Sequence, residues 1–192
     1  MTTLIVGLVI FFAVHSVSII ANDWRDRMVA RLGEKTWKAL YGLASIVGFV
    51  LIVKGYGLAR QDPVFLYEPP YFMRHVTALL MLPVFPLLLA AYFPGRISAA
   101  VKHPMLTATK AWALAHLLCN GTLADVLLFG SFLAWAVLDR IAVGKRAPRT
   151  VPAAPPSKLN DVIAVVGGLA LYVVFTLWLH QRWIGVPPFV HG

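Results

Sequence analysis

A group of polar side chains interrupts a stretch that is otherwise apolar enough for the core of a membrane. His103, Lys110, His116 and Asn120 lie in a segment that runs from residue 103 to residue 139 and contains two apolar runs. A lysine at the centre of a membrane helix costs about 2.5–3.5 kcal/mol on insertion scales, so such groups usually face a cavity or a partner. We interpret the segment as two helices folded back on each other and look there for chemistry.

His116 has neighbours of the kind that a planar cofactor needs. Thr109, Trp112 and Asn120 share its helical face, because residues three or four apart lie side by side on a helix. A polar and aromatic stripe of this kind can line a cofactor, or it can mark a helix–helix interface. The spacing alone does not separate the two interpretations.

A haem held by two histidines would need one imidazole from each of two helices. His103 and His116 are 13 residues apart, which is about 220° around a helix, so they point in nearly opposite directions. The favoured partners for His116 are His15, deep in the first apolar run, and His75, at the entrance of the third, ahead of His180 and His191, which lie at or beyond the end of the last run. His15 also has a simpler interpretation, a neutral imidazole bonded to a serine or a backbone carbonyl.

The other two polar residues of the segment have structural interpretations. His103 precedes Pro104, which suits the first turn of a helix, so His103 is expected at the N-cap. Lys110 follows seven residues later on the same face. We expect it to reach the headgroups or to form an ion pair with Asp139 across the hairpin, and we favour the ion pair.

The amino-acid composition indicates the class of protein to which the chain belongs. Of the 192 residues, 59% are hydrophobic and 13% are charged, against about 25% charged in soluble domains. The net charge of +9 comes from basic residues in short loops between apolar runs, which is an orientation signal rather than a nucleic-acid footprint. The single cysteine excludes an intramolecular disulfide and a cysteine-rich metal site. No paired carboxylates, phosphate-binding glycine loop or Ser/His/Asp set is present.

The hydropathy pattern predicts an all-α, polytopic membrane helix bundle with about six transmembrane helices in one domain over residues 1–192. The first run lacks the basic start and the cleavage site of a signal peptide, and its 19 residues suffice to cross a bilayer. The predicted spans are residues 3–21, 37–53, 76–93, 104–119, 122–139 and 161–180.

Between the spans, local signals predict further features. Residues 22–35 are expected to form a short interfacial helix that ends at Gly33. Gly42 and Gly48, with small neighbours, predict close helix contact in the second span.

Proline and capping signals mark the later part of the chain. Pro83 and Pro86 predict a kink in the third span. Thr122 and Asp125 form a capping-box pattern at the start of the fifth. The composition of residues 141–159 predicts a flexible basic linker.

The basic residues of the loops predict the orientation. The loops at residues 22–38, 94–102 and 140–158 carry 12 lysines and arginines, and the opposite side carries four. The positive-inside rule then places both termini outside the cytoplasm, which for a bacterial inner-membrane protein is the periplasm. In this arrangement His15 lies nearer the cytoplasm and His116 nearer the periplasm, with a gap of about 10 Å along the membrane normal. A tilted haem, a kinked third helix or His75 in place of His15 would accommodate that gap.

The motifs of the central segment resemble a known family. His103-Pro104, Trp112-Ala-Leu-Ala-His116 and Asn120-Gly121 are similar to the NnrU family of bacterial inner-membrane proteins, named for genes near nitrite and nitric oxide reductase loci. The likeness is strongest over residues 103–140, and His15-Ser16 in the first span fits it as well.

The resemblance implies a cofactor. The NnrU family is related to 15-cis-zeta-carotene isomerase, a membrane enzyme that uses haem b with histidine ligands. By this resemblance His15 and His116 correspond to the axial ligands, and His103 belongs to a shared His-Pro motif. The isomerase has a cysteine one turn before the second histidine where this chain has Ala113, so the resemblance does not extend to its ligand-switching chemistry.

Two functions of different class follow as expectations. In the first, the chain is a haem b protein that acts in nitrogen-oxide or redox metabolism, or isomerises a lipid-soluble polyene. In the second, it is a non-enzymatic factor for the assembly or maturation of a respiratory reductase. The expected partners are the lipid bilayer and components of a nitrogen-oxide reductase, and nucleic acid is not among them.

Overall fold

The structure is a computed structural model that describes residues 1–145 and 152–189. Its regular structure is helical, apart from one isolated bridge between Phe65 and Thr122. The helices are α1 (Thr2–Ile20), α2 (Asn22–Leu32), α3 (Glu34–Ala59), α4 (Met73–Met81), α5 (Val84–Ala90), α6 (Arg96–Val101), α7 (Pro104–Cys119), α8 (Leu123–Val143) and α9 (Asn160–Ile184).

The described helices confirm the expected all-α membrane architecture. Five segments are long and apolar enough to cross a bilayer, namely α1, α3, α4 with α5, α8 and α9. No more than 22% of the apolar window of any of them is buried within the protein, so their outer faces are left for lipid. The predicted fourth span forms as α7, but with 16 residues it is shorter than the roughly 20 that a membrane helix needs.

The chain divides into two compact units. The described part of the first consists of residues 1–68 and 121–145, and that of the second of residues 69–120 and 152–189. Helices α1, α2, α3 and α8 belong to the first unit, and α4 to α7 and α9 to the second. The two helices of the expected hairpin, α7 and α8, therefore belong to different units.

In the first unit, α1 and α3 pack closely because glycines face backbone. A Cβ on Gly48 would come within 2.9 Å of the Phe11 nitrogen, and a Cβ on Gly55 would overlap the backbone of Leu4. Gly7 of α1 faces the backbone of α3 in the same way. Small residues allow membrane helices to approach at this distance, where van der Waals contact is greatest. The contact predicted for Gly48 is confirmed, whereas a Cβ on Gly42 would have nothing within 4 Å.

The segment between α1 and α3 forms the short helix that was expected. It runs from Asn22 to Leu32 and ends at Gly33, whose φ of +81° favours glycine. None of its residues is buried. The exposed helix is attached to the unit through its two ends.

The start of α8 is joined to the loop that follows α3. The predicted capping box is confirmed, since Thr122 Oγ1 accepts from the Asp125 nitrogen and Asp125 accepts from the Thr122 nitrogen. The backbone nitrogen of Leu66 donates to Gly121 and that of Leu123 donates to Val64, both at 2.8 Å. These bonds hold the loop against the helix.

In the second unit, the third span is broken as predicted. α4 ends at Met81 and α5 begins at Val84, with Pro83 at the break. Val84 and Leu87 form a buried cluster with Ala108 of α7. The broken span therefore packs its second half on α7.

α9 packs on the same broken span. The backbone at Gly168 lies so close to Pro86 that a Cβ would overlap the proline nitrogen. Tyr172 donates a hydrogen bond to the Ala78 carbonyl at 3.0 Å. Two π-helical turns, Ile163–Gly167 and Phe175–Leu179, interrupt the helix on either side of Tyr172.

The approach to α9 is ordered by polar side chains. Asp161 accepts hydrogen bonds from the backbone nitrogens of Arg96 and Ile97 at 2.9 and 3.0 Å, at the start of α6. Asn160 donates to the Pro94 carbonyl at 2.8 Å. Of the predicted linker at residues 141–159, residues 152–157 have no regular structure, and residues 146–151 lie outside the described residues.

Candidate functional site

The structure fixes the orientation and the tautomer of His15 in α1. Its Nδ1 lies 2.7 Å from the carbonyl oxygen of Phe11, one turn earlier. A carbonyl only accepts, so Nδ1 carries the proton and the lone pair of a neutral ring is on Nε2. Metal-binding histidines are held in this way by an acceptor on the other ring nitrogen.

Aromatic rings from three helices surround His15. The Phe11 ring stacks on the imidazole at 3.9 Å between centroids, with 21° between the planes. Tyr41 of α3 lies 5.2 Å away, and Trp135 of α8 meets the imidazole edge to face at 5.9 Å. We call His15, Phe11, Tyr41 and Trp135 the aromatic box. The sequence interpretation found only its histidine.

An acidic side chain adjoins the box. Asp139 lies one turn after Trp135 in α8 and is 8% exposed. It lies close enough to His15 and Tyr41 for an electrostatic interaction with both. The site thus combines an imidazole, a phenol and a carboxylate within an aromatic setting.

Trp135 has a buried donor without an acceptor. In the described residues, no hydrogen-bond partner lies near its Nε1, which is shielded from solvent. An unsatisfied buried donor costs about 1–3 kcal/mol, and a bound group with an acceptor would remove that cost. The box therefore has a polar atom that a ligand can use.

Trp135→Phe tests whether that donor is unsatisfied in the protein without a ligand. The variant keeps a ring beside His15 and removes the N–H, so we expect its thermal stability in detergent to change little or to rise. Trp135→Ala, which removes the ring as well, should cost about 3–5 kcal/mol. A Phe variant as unstable as the Ala variant would show that the N–H already has an acceptor.

His116 in the second unit repeats the arrangement of His15. Its Nδ1 lies 2.8 Å from the Trp112 carbonyl oxygen, and the two rings are 5.5 Å apart. Asn120 donates to the His116 carbonyl at 2.9 Å and to Cys119 Sγ at 3.2 Å. Trp112, His116 and Asn120 of the predicted stripe contact one another at the end of α7, and the role of the stripe stays a prediction. Thr109, its fourth member, bonds back to Met105.

His15 and His116 have the same local hydrogen-bonding arrangement. Each follows an aromatic residue by four positions and donates its Nδ1–H to the carbonyl of that residue. In both rings the lone pair of the neutral imidazole is on Nε2. This match is a property of the local sequence, because the aromatic residue and the histidine lie on the same helix in each case.

His75 lies in a different setting. It is exposed in the first turn of α4, and its ring meets Tyr71 edge to face at 6.1 Å. Thr77, two residues later, donates to the Ala115 carbonyl of α7 at 2.8 Å. Residues two apart on a helix differ by about 200°, so His75 lies on the face of α4 opposite to α7.

His103 has the structural position expected from the sequence, and the expected ion pair of Lys110 stays a prediction. His103 is the N-cap of α7, where its carbonyl accepts from the nitrogen and the hydroxyl of Thr107 and its side chain makes no capping bond. Lys110 is half-buried in the middle of α7. It belongs to the second unit and Asp139 to the first, so their ion pair stays a prediction.

The division into units also bears on the candidate ligands. His15 belongs to the first unit, and His75 and His116 belong to the second. Joint ligation of one haem by His15 and His116 stays a prediction. Over residues 1–145 and 152–189, no group of three or more histidine, cysteine or acidic residues is arranged to hold a metal ion by itself.

Comparison with known proteins gives one match. No curated protein and no solved structure matches the chain. A family model, described as NnrU protein, matches residues 3–188, which is nearly the whole chain and includes both histidines with their aromatic partners. The chain belongs to the NnrU family.

Proposed function

We propose that this NnrU protein is a haem b protein of the bacterial inner membrane that acts in nitrogen-oxide or related redox metabolism. His15 and His116 are the proposed iron ligands. The observation that carries the proposal is their common geometry, in which a backbone carbonyl holds Nδ1–H and the lone pair is on Nε2.

The residues present fit a haem. Imidazole is a common axial ligand of haem iron, and the aromatic rings beside each histidine suit a flat apolar macrocycle. The buried Nε1–H of Trp135 offers a donor for an acidic group on the rim of such a ligand. A bound haem would supply one-electron redox chemistry.

Backbone carbonyls and side chains near the two histidines would tune the properties of a bound haem. The carbonyls of Phe11 and Trp112 hold the imidazoles in one tautomer and one orientation. Asp139 lies near His15, and an ionised carboxylate at this position would favour the more positive state of a redox centre. Phe11 and Tyr41 cover part of the His15 ring, which is half-buried.

The proposed setting follows from the basic loops and the family. We propose that α7 crosses the bilayer as a sixth span, so that the side with 12 of the loop lysines and arginines faces the cytoplasm and both termini face the periplasm. We propose components of a nitrogen-oxide reductase as partners within the bilayer.

The visible spectrum of the detergent-purified protein tests the proposal. We expect a Soret band and about one haem per chain, and we expect His15→Ala and His116→Ala each to lose most of the haem. If both imidazoles bind, the intact protein should show a low-spin spectrum.

His180→Ala is the matched control, because His180 of α9 is a further histidine whose Nδ1 bonds a carbonyl, that of Val186, at 2.6 Å. It should keep the full Soret band. A colourless, iron-free protein that still supports reductase maturation would instead favour the assembly factor. Turnover of a polyene by the purified protein would favour the isomerase.

A further inference from the structure

The loop after α3 presents a run of exposed apolar side chains. Val64, Phe65, Leu66 and Tyr67 are 51%, 66%, 53% and 41% exposed, and no charged residue lies among them. We call these four residues the apolar loop. A continuous set of exposed apolar side chains marks a surface that a protein or a membrane covers.

The apolar loop is held against the start of α8 by backbone hydrogen bonds. The nitrogens of Leu66 and Tyr67 donate to the Gly121 carbonyl at 2.8 and 3.2 Å, and that of Leu123 donates to the Val64 carbonyl at 2.8 Å. A Cβ on Gly121 would overlap the carbonyl oxygen of Tyr67, so this close approach requires glycine. The side chains of the loop are therefore exposed although its backbone is fastened at several points.

These bonds also set the level of the loop relative to the membrane. Leu123 is the first residue of α8, and α3 ends at Ala59. Both helices are long and apolar enough to cross a bilayer, and α3 keeps an exposed apolar residue, Leu58, in its last turn. The apolar loop thus lies at the end that two membrane spans share, where the hydrocarbon of the bilayer begins.

The chemistry of the loop favours lipid over a protein as its partner. Hydrocarbon offers no hydrogen bonds, so a segment that touches it needs its backbone groups bonded within the protein. Pro63 has no backbone N–H, and those of Leu66 and Tyr67 are bonded to Gly121. A protein interface carries about one hydrogen bond per 100–200 Å², whereas the four side chains contain a single polar group, the Tyr67 hydroxyl.

We infer that the apolar loop inserts into the lipid leaflet at this end of the first unit, with Phe65 and Leu66 among the upper acyl chains and Tyr67 at the headgroups. Tyrosine suits the boundary because its ring is apolar and its hydroxyl is polar. Interfacial segments bury their apolar side about 5–10 Å into this region. Asp62 and Glu68 flank the loop and limit the insertion to its tip, since carboxylates avoid hydrocarbon. The inference does not depend on haem.

Spin labelling in phosphatidylethanolamine–phosphatidylglycerol liposomes tests this inference. Phe65→Cys and Leu66→Cys, each combined with Cys119→Ser to remove the native thiol, place a nitroxide at two exposed positions of the loop. Electron paramagnetic resonance compares collisions of the label with oxygen, which concentrates in hydrocarbon, and with a nickel chelate, which stays in water. At both positions we expect high accessibility to oxygen and a loss of accessibility to the chelate.

Asp62→Cys and Phe49→Cys, in the same background, are the references. Asp62 is exposed in the same loop outside the apolar residues and should stay accessible to the chelate. Phe49 is 55% exposed near the middle of α3 and should show the full oxygen signal. All four variants alter exposed residues, and circular dichroism checks that each is folded.

Two results would overturn the inference. If the labels at Phe65 and Leu66 met the chelate as readily as the label at Asp62, the loop would lie in water. If they were inaccessible to both reagents, a second copy of the chain or another protein would cover the loop instead of lipid.

Discussion

Gly55→Ala is expected to separate α1 from α3 and to lower the free energy of unfolding by about 1–3 kcal/mol or more. The added Cβ would overlap the backbone nitrogen and Cα of Leu4 and come within 2.7 Å of the Thr3 carbonyl carbon. A backbone obstacle cannot move aside as a flexible side chain can. The two helices must therefore shift apart along a contact that Gly7 and Gly48 also make. Unfolding in mixed micelles with increasing SDS, followed by circular dichroism, measures the change.

Gly57→Ala is the matched control on the same helix, two residues away. Gly57 is exposed, and a Cβ there would have nothing within 4 Å. Alanine is the better helix former by about 0.8–1.0 kcal/mol, so this variant should be as stable as the parent or more stable. If both variants behaved alike, the close approach of α1 to α3 would not be what stabilises the unit.

The helices could be predicted from the sequence because apolar runs and capping residues are local signals. The span predicted at residues 104–119 is α7 to the residue, and the kink at Pro83 is present. The boundaries differ most in α3, which has 26 residues where 17 were predicted. Hydropathy marks the apolar part of a helix, whereas α3 begins three residues earlier, where Glu34 pairs with Lys38, and continues six residues beyond the predicted end.

The faces along which the helices meet were harder to predict. Gly42 and Gly48 both stood in a predicted span among small residues, yet only Gly48 lies against α1. The two are six residues apart, which is about 240° around the helix, so one contact excludes the other. Which face turns towards a neighbour depends on the neighbour, and one segment does not contain that information.

Only the contacts of the candidate site that lie within a single helix could be predicted from the sequence. Both histidines stood out as polar groups in apolar helices, and the contact of His116 with Trp112 follows from their spacing. Tyr41 and Trp135 were missed because they reach His15 from α3 and α8. The spacing of Trp135 and Asp139 is a signal that could have been used, since it puts a tryptophan and a buried carboxylate on one face of a membrane helix.

Asp125→Ala is expected to release the start of α8 and to cost about 2–4 kcal/mol in the free energy of unfolding. Asp125 is 4% exposed. One carboxylate oxygen accepts from the Thr122 nitrogen and hydroxyl at 2.9 and 2.6 Å, and the other accepts from the Tyr56 hydroxyl at 2.5 Å. Alanine removes the helix cap and leaves a half-buried phenol without this acceptor. SDS unfolding reports the loss, and Asp23→Ala, at an exposed position of α2, should change stability by less than about 0.5 kcal/mol.

A double-mutant cycle separates the two functions of Asp125. Tyr56→Phe removes the bond from the phenol, whereas Thr122→Ala removes both the bond that the hydroxyl donates to the carboxylate and the bond that it accepts from the Asp125 nitrogen. Because both side chains bond to the same carboxylate, the loss from Tyr56→Phe should nearly disappear when Asp125 is already alanine. Tyr56 and Asp125 are 69 residues apart in sequence, so coupling between them would show that the end of α3 and the start of α8 are joined in the folded unit. Additive losses would mean that Asp125 acts as a helix cap alone and that the end of α3 is held by the backbone bonds of the loop.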